Sequence, residues 1–436
     1  MMTILKKEIQ TDLPSSISRN LSSDLKNDFT PLISSAKKEY WSALGLPFPE
    51  DPPPINAESG SGEFYLSKTG NLFYFKIPGE RNRLECGGLL KNDGIQEFNH
   101  FFDLVSSSIQ RELKTKELNW KSLTRDETFQ NLLSYGTSLT PTKEEFATAR
   151  ELENPDILRV LMNAQSLLSY SSRNLANLLE DRMKADSVLE KLTQAKLMTK
   201  DFVVLCKEKG QQIIKVASRQ AIDETSQKGF KCFLCGKPIS EENIEELLSA
   251  TELGRKMIDK GYWMPVRILE TLERLGFKNQ DVIKEVEEDF FTLYFLSSGE
   301  IVMAATFPRK LTLSDAYTLN AKLSVSHAGI GIITSTQPVS AVFKEFLAQS
   351  NPQRPLHFLE NFSNLEERLE QIIKSRQQEI VQKVVEPFTK FTSITLSDLI
   401  SQKLFGGEEI KKTQQTAPSS KRGRGKQEVE EEKAES

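Results

Sequence analysis

Between residues 262 and 360 the apolar positions change period several times. In "MPVRILETLERLGF" Val266, Leu269, Leu272 and Leu275 fall on one helical face, and Gly276 stops the helix. "DFFTLYFLSSGEIVMAATF" holds two nearly unbroken apolar runs around Ser297-Ser298-Gly299, which predicts two buried strands joined by a hairpin turn. "TLSDAYTLNAKLSVSHA" returns to helical character behind a good capping residue. "GIGIITST" is a further buried strand, "PVSAVFKEFLAQS" a helix and "PLHFLE" a short strand. The expected core of this segment is αβββαβ, with two of the three strands before its second helix identified in the hairpin.

The rest of the chain also divides by pattern. Residues 1 to about 60 are polar, and Pro49, Pro52, Pro53 and Pro54 exclude regular helix from "LPFPEDPPPINAESGSGE". "GEFYLSKTGNLFYFKIPGE" predicts two strands around a turn at Thr69-Gly70-Asn71. Residues 95 to 135 are expected to be amphipathic helix, with Phe98, Phe101, Phe102 and Leu104 on the apolar side. From 143 to 200 helices dominate. Thr142 with Glu145 is a capping-box signature. Val188, Leu189, Leu192 and Leu197 recur at helical spacing before the strand-like Phe202-Val203-Val204-Leu205. Leu365, Leu369, Ile372 and Ile373 mark a later helix that packs back on the core or pairs with a partner. After 410 nothing apolar remains to fold. Lys411, Lys412, Lys421, Arg422, Arg424 and Lys426 form a basic block ahead of an acidic one from Glu428 to Glu435. Lys421, Arg422, Arg424 and Lys426 are the candidates for touching phosphates.

Composition narrows the class. With 436 residues, 38% of them apolar and 27% charged, the chain can build several cores and suits a soluble multi-domain protein. A net charge of −4 gives no global pull toward nucleic acid and leaves only local basic patches for that role. No apolar run approaches the roughly 20 residues that span a bilayer. "MMTILKKEIQTDLPSS" lacks the apolar stretch of a signal peptide. Four cysteines cannot staple a chain of this length, so a cytoplasmic protein with reduced thiols is expected. The N-terminal third has no phosphate loop, nucleophile elbow or paired histidines, and His100 reads as an ordinary surface or core residue.

The cysteines carry the first chemical signal. "KCFLCGKPIS" contains Cys232-x-x-Cys235 followed by Gly236. Upstream, "VVLCKEKGQQIIKV" has the same strand-knuckle-strand form as Cys206-x-x-Lys209 followed by Gly210. A glycine after each knuckle supplies the positive φ of a tight turn. The arrangement resembles a four-cysteine zinc ribbon with lysine at one ligand position. Structural zinc takes four deprotonated nitrogen or sulfur donors in a tetrahedron, and a lysine cation repels it. His100, His327 and His357 are all remote in sequence. Either Cys206, Cys232 and Cys235 hold zinc weakly, with water or a carboxylate such as Glu208 completing the shell, or the fold persists by packing alone. The expectation is zinc that is weakly bound or absent. Just upstream, "AKLMTKDF" resembles the last helix and wing of a winged-helix module.

The αβββαβ order and the "LTLSDAY…GIGIITST" run resemble the core of the PD-(D/E)xK restriction-endonuclease-like superfamily. That resemblance implies divalent metals held by carboxylates, activating water at a phosphodiester, with a lysine stabilising charge. Its residues are missing here. The glutamate position falls on Ala304, the lysine position on Thr306, and the upstream acid, about 12 residues earlier, on Thr292. A shifted register offers Asp289 or Glu300, the latter in the hairpin turn. Glu270 and Glu273 on the preceding helix read as a solvated face in preference to remnants of a further acidic ligand.

The expected architecture is α/β and multi-domain. It comprises an N-terminal α+β region (1–140), a helical, winged-helix-like segment (141–205), a degenerate zinc ribbon (206–245) and a degenerate nuclease-like core (246–362). C-terminal helices (363–410) and a disordered tail (411–436) follow. With a metal ribbon short of one ligand and a nuclease core short of its acids, the expected role is non-catalytic. The chain would bind DNA or serve as a structural subunit in a DNA-handling or defence assembly. The alternatives are an active metal-dependent nuclease with displaced acids, and a protein-interaction scaffold.

Overall fold

Three sheets organise the chain in this computed structural model. It describes residues 2–45, 60–79, 82–91, 94–123, 126–134, 136–137, 139–166, 170–171, 177–179, 181–360, 362 and 364–389, with positions 396, 400, 403 and 404. The proline-rich break and the basic block at Lys421, Arg422, Arg424 and Lys426 lie outside the described residues.

The first sheet is antiparallel. It contains β1 (Met2–Gln10), β2 (Thr30–Pro31), β3 (Ser61–Leu66), β4 (Leu72–Ile77), β5 (Arg83–Lys91) and β6 (Lys121–Ser122), in the order β2-β3-β4-β5-β1-β6. The run "LFYF" is apolar at successive positions because both faces of this sheet are covered. Tyr65, Phe73 and Phe75 meet α1 (Ile17–Leu25) and α3 (Ile95–Leu113), while Phe64, Leu72 and Tyr74 face the opposite side. The β3–β4 turn forms as expected, with Gly70 at φ 88° and the Ser67 N–H donating to Asn71 O at 2.9 Å. The helix expected over 95–135 is shorter. It ends at Leu113, where Lys114 turns left-handed at φ 51°, and the chain then makes β6 and α4 (Asp126–Leu133). Between α1 and α3 in sequence lies α2 (Leu32–Ala43).

The second sheet joins the middle of the chain. Around it are α5 (Lys143–Glu151), α6 (Pro155–Ser166), α7 (Ala185–Gln194) and α8 (Arg219–Gln227). Its strands, β7 (Tyr170–Ser171), β8 (Met198–Leu205), β9 (Gln212–Val216) and β10 (Asn243–Ala250), run in the order β7-β10-β8-β9. The capping box is present: Thr142 Oγ1 accepts from the Glu145 N–H at 3.2 Å, and Glu145 Oε2 accepts from the Thr142 N–H at 2.8 Å. β10 pairs with β8 from Asn243 opposite Leu205 to Ala250 opposite Met198. Segments 141–205 and 206–245 therefore share one sheet, and both cysteine knuckles sit at its tip.

In the third region, α9 (Glu252–Ile258) and α10 (Trp263–Arg274) precede β11 (Val282–Val286), β12 (Phe291–Ser297) and β13 (Glu300–Phe307). Then follow α11 (Leu313–Val325), β14 (Ile330–Ser335), α12 (Ala341–Ser350) and β15 (Leu356–Glu360). β11-β12-β13 pair antiparallel, while β13-β14-β15 pair parallel. Ser298 at φ 54° and Gly299 at φ 77° make the two-residue hairpin turn, whose positive φ values match strand twist.

One helix is more deeply placed than its pattern suggests. Every residue of α10 from Trp263 to Leu272 is buried. Glu273 is solvated as expected, but Glu270 is only 5% exposed. Glu270 accepts from Arg150 Nε of α5 at 2.6 Å and from Arg267, which also donates to Glu153 at 2.5 Å. The solvated-face reading of Glu270 is thus overturned, because α5 covers that side of α10. The final helix, α13 (Leu365–Thr389), spans two cores. Leu365, Leu369 and Ile373 join the core containing α10, and Val381, Val384 and Phe388 close the free face of the first sheet. A Cβ at Gly62 would lie 2.6 Å from the Phe388 ring, so glycine is what lets this helix land there.

Candidate metal centre

Both knuckles are built by the same backbone hydrogen bonds. The Cys206 N–H donates to Gln211 O at 2.8 Å, and the Gly210 N–H returns to Cys206 O at 2.7 Å. In the second, the Cys232 N–H donates to Lys237 O at 2.7 Å and the Gly236 N–H to Cys232 O at 2.8 Å. Gly210 and Gly236 have φ of 67° and 78°. This closure aims backbone N–H groups and the first cysteine inward. Lys209 is the backbone counterpart of Cys235, yet its side chain is exposed.

A different residue takes the vacant place. One ligand atom each from Cys206, Cys232, Cys235 and Glu242 lies within 4.8 Å of all the others. Cys206, Cys232 and Glu242 are buried, and Cys235 is half-buried. Glu242 ends a short turn after the second knuckle and directly precedes β10. There the Lys207 N–H of the first knuckle donates to its Oε2 at 2.5 Å, and the Cys235 thiol donates to its Oε1 at 2.8 Å. Glu208, the carboxylate suggested by sequence, instead pairs with Lys237 at 2.9 Å on the surface. Glu242 lies seven residues past Cys235, outside the repeating knuckle, so the spacing contained no signal for it. Only the pairing of β10 with β8 sets it beside Cys206.

The electrostatics suit metal uptake. The hydrogen bond to Glu242 pushes the Cys235 thiol up to about 12, and the same bond holds the Glu242 carboxyl below its ordinary range. Burial alone would raise Cys206. The N–H groups of Lys209 and Glu208 and the two neighbouring thiols outweigh it and hold Cys206 below the usual thiol value. The Cys235 thiol thus carries a proton that a cation would displace. Tetrahedral zinc at about 2.3 Å from each sulfur needs sulfurs about 3.8 Å apart, which a cluster of this size reaches by small side-chain movements. Three sulfurs and one carboxylate would fill all four positions and leave none open to substrate.

The nuclease-like positions behave differently. Ala304 pairs with Leu293 across the hairpin, whereas Thr292 pairs with Ala305. Side chains alternate along a strand. Ala304 therefore faces the core shared with α10, and Thr292 faces the opposite layer with Ala305 and Tyr294. Thr306 lies on the Ala304 side, paired with Thr334 of β14. All three are fully buried, and among the described residues the hydroxyls of Thr292 and Thr306 have no hydrogen-bond partner. The fallback acids are also separated. Asp289 accepts from Arg309 Nε at 2.6 Å, and Arg309 also holds Asp315 at 2.8 and 2.9 Å. Glu300, at the other end of the hairpin, is held by Arg376 of α13 at 2.9 and 3.0 Å. A seven-residue strand lies between them, roughly 20 Å, so they cannot share a metal ion.

Among the described residues no helix is long and apolar enough to cross a membrane. No protein-family model matches the chain, and no curated protein or solved structure matches it either.

Proposed function

We propose that the protein is a non-catalytic DNA-binding subunit whose wing tip is held by a structural zinc ion on Cys206, Cys232, Cys235 and Glu242. The observation that carries the non-catalytic part is the placement of Ala304 and Thr306 in a closed hydrocarbon interior, with the nearby acids Asp289 and Glu300 neutralised by separate arginines. The zinc would supply cross-linking of three turns, not chemistry, since a site filled by protein donors has no position for substrate or water.

Support for nucleic acid comes from the middle sheet. A helix, a short strand, a second helix and a long strand occur in that order, and after the intervening β9 and α8 the strand β10 returns to pair with both the long strand and the short one. That order agrees with the winged-helix resemblance. Residues 206–242, from the first to the last metal donor, carry seven lysines and arginines against five acids, one of them the donor Glu242, while the whole chain has a net charge of −4. The wing tip is thus a local basic patch of the kind that contacts phosphates.

The test is a gel shift and cleavage assay on duplex DNA with the full chain, with and without Mg²⁺ or Mn²⁺. Salt-sensitive binding without cleavage is expected. Cleavage abolished by Asp289→Asn or Glu300→Gln would restore the active-nuclease reading, and failure to bind at any salt would favour the scaffold reading.

A further inference from the structure

Two phenylalanines at the wing tip are turned outward. Phe230 is 58% exposed and Phe233 is 73% exposed. The small core beneath them is made by Val204, Ile222 and Ile239 and includes neither ring. Phe233 lies between the two cysteines of the second knuckle, and Phe230 directly precedes it. They are three positions apart, with Lys231 and Cys232 between them, at most about 10 Å, the rise of about three stacked nucleotides. A lone exposed aromatic residue requires no explanation. Two on one rigid turn, leaving an available core unused, form a platform.

The charge around this platform selects its occupant. Lys207 and Lys209 stand in the first knuckle, and Lys228 and Lys231 flank Phe230. All four are exposed. The sulfurs of the two knuckles lie within 4.8 Å of one another, so these lysines share one tip with the rings. Among the described residues none of the four makes an ion pair, in contrast to Lys237, which is held by Glu208, and Lys215, which is held by Asp201. Exposed rings interleaved with unpaired cations match a polyanion with accessible π-faces. A duplex hides its base faces within the stack, whereas a single strand offers them.

We infer that the metal-bound wing tip is a single-strand binding platform, with Phe230 and Phe233 stacking on unpaired bases and the four lysines engaging the phosphates between them. The inference rests on the reading of the chain as a nucleic-acid binder and assigns one surface and one strand form to it. The shared ligand chemistry is an unpaired polynucleotide, and the sugar decides between DNA and RNA.

The experiment is fluorescence anisotropy of the full chain with labelled single strands of about 12 nucleotides. Oligo-dU and oligo-rU form two arms that differ only in the 2′-hydroxyl, and a matched duplex forms a third. Single strands are expected to bind more tightly than duplex, with whichever single-strand arm is tighter identifying the sugar. Phe230→Ala and Phe233→Ala should each weaken single-strand binding about 5-fold or more and leave duplex binding unchanged. Phe233→Trp should retain binding, which separates stacking from a folding defect, and metal content should match wild type in every variant. Lys231→Glu should lower the salt slope on a single strand by about 0.7 or more. Single-strand binding that is unaffected by loss of both rings, or lost equally on duplex, overturns the inference. Loss of duplex binding with ring-dependent single-strand binding intact would instead remove the duplex reading alone.

Discussion

At the tip of the middle sheet, donors from two knuckles and the residue preceding β10 come within 4.8 Å of one another, although nearly 40 residues separate the first from the last. On the β12–β13 hairpin, three positions only 14 residues apart are divided between opposite faces of a sheet. The same chain gathers distant groups in one region and scatters close ones in another. Turns explain the first. Each knuckle closes on itself through a left-handed glycine, and this turns its first cysteine inward whatever the chain does between the knuckles. Strand parity explains the second. Across a hairpin, the residue that shares a face with Ala304 is its cross-strand partner Leu293, and Thr292 is one step out of phase. Convergence of chemistry therefore depends on the element that carries it more than on distance along the chain.

The comparison can be broken most severely at the metal. Cys206→Ser should abolish stoichiometric metal and open residues 206–242 to protease, while the remaining fold stays resistant. Retention of one metal per chain after dialysis, measured by mass spectrometry, would show that the cluster is not the site. The next largest effect concerns the third region. Glu270→Ala leaves Arg267 buried with Glu153 as its remaining partner, and a stability loss of about 3–5 kcal/mol is expected in chemical denaturation. A loss within about 0.5 kcal/mol would return Glu270 to a solvated face.

A smaller change sharpens the contrast between Lys209 and Glu242. Glu242→Ala should weaken zinc by more than the roughly 10–100-fold that loss of an outer-shell partner causes. Adding Lys209→Cys should restore it, because position 209 is the backbone counterpart of Cys235. Competition with a chromogenic chelator reads both steps, and no rescue would mean that the two knuckles differ in shape. The smallest effect belongs to Asp315. Burial alone would raise its carboxyl, but Arg309 and the N–H and hydroxyl of Thr312 hold it below the ordinary value. Its contribution is thus complete above about pH 4 and is lost as pH falls through the lower folded value. Asp315→Asn should reduce stability by about 1–3 kcal/mol at neutral pH. It should also remove part of the acid dependence of unfolding, and an unchanged acid limb would contradict the assignment.

Much of the local structure was legible in the chain. The Thr142–Glu145 capping box, the Ser298-Gly299 turn and the unbroken runs of β12, β13 and β14 depend on neighbours within a few residues, where steric and hydrogen-bonding preferences are strong. The two knuckles were legible for the same reason, since a cysteine, a three-residue spacing and a glycine contain their whole geometry. The fourth donor was not. Glu242 enters through a strand pairing between residues 205 and 243, and nothing local distinguishes it from Glu208, which points to solvent and pairs with Lys237. Glu270 was misread because period alone cannot show that a second helix covers the polar side of α10. The two faces of the β12–β13 hairpin, the paired fates of Asp289 and Glu300, and the span of α13 over two cores were likewise decided only by tertiary structure. Register and layer packing are long-range choices, and a charged side chain has the same local preferences whether its partner is water or a buried arginine.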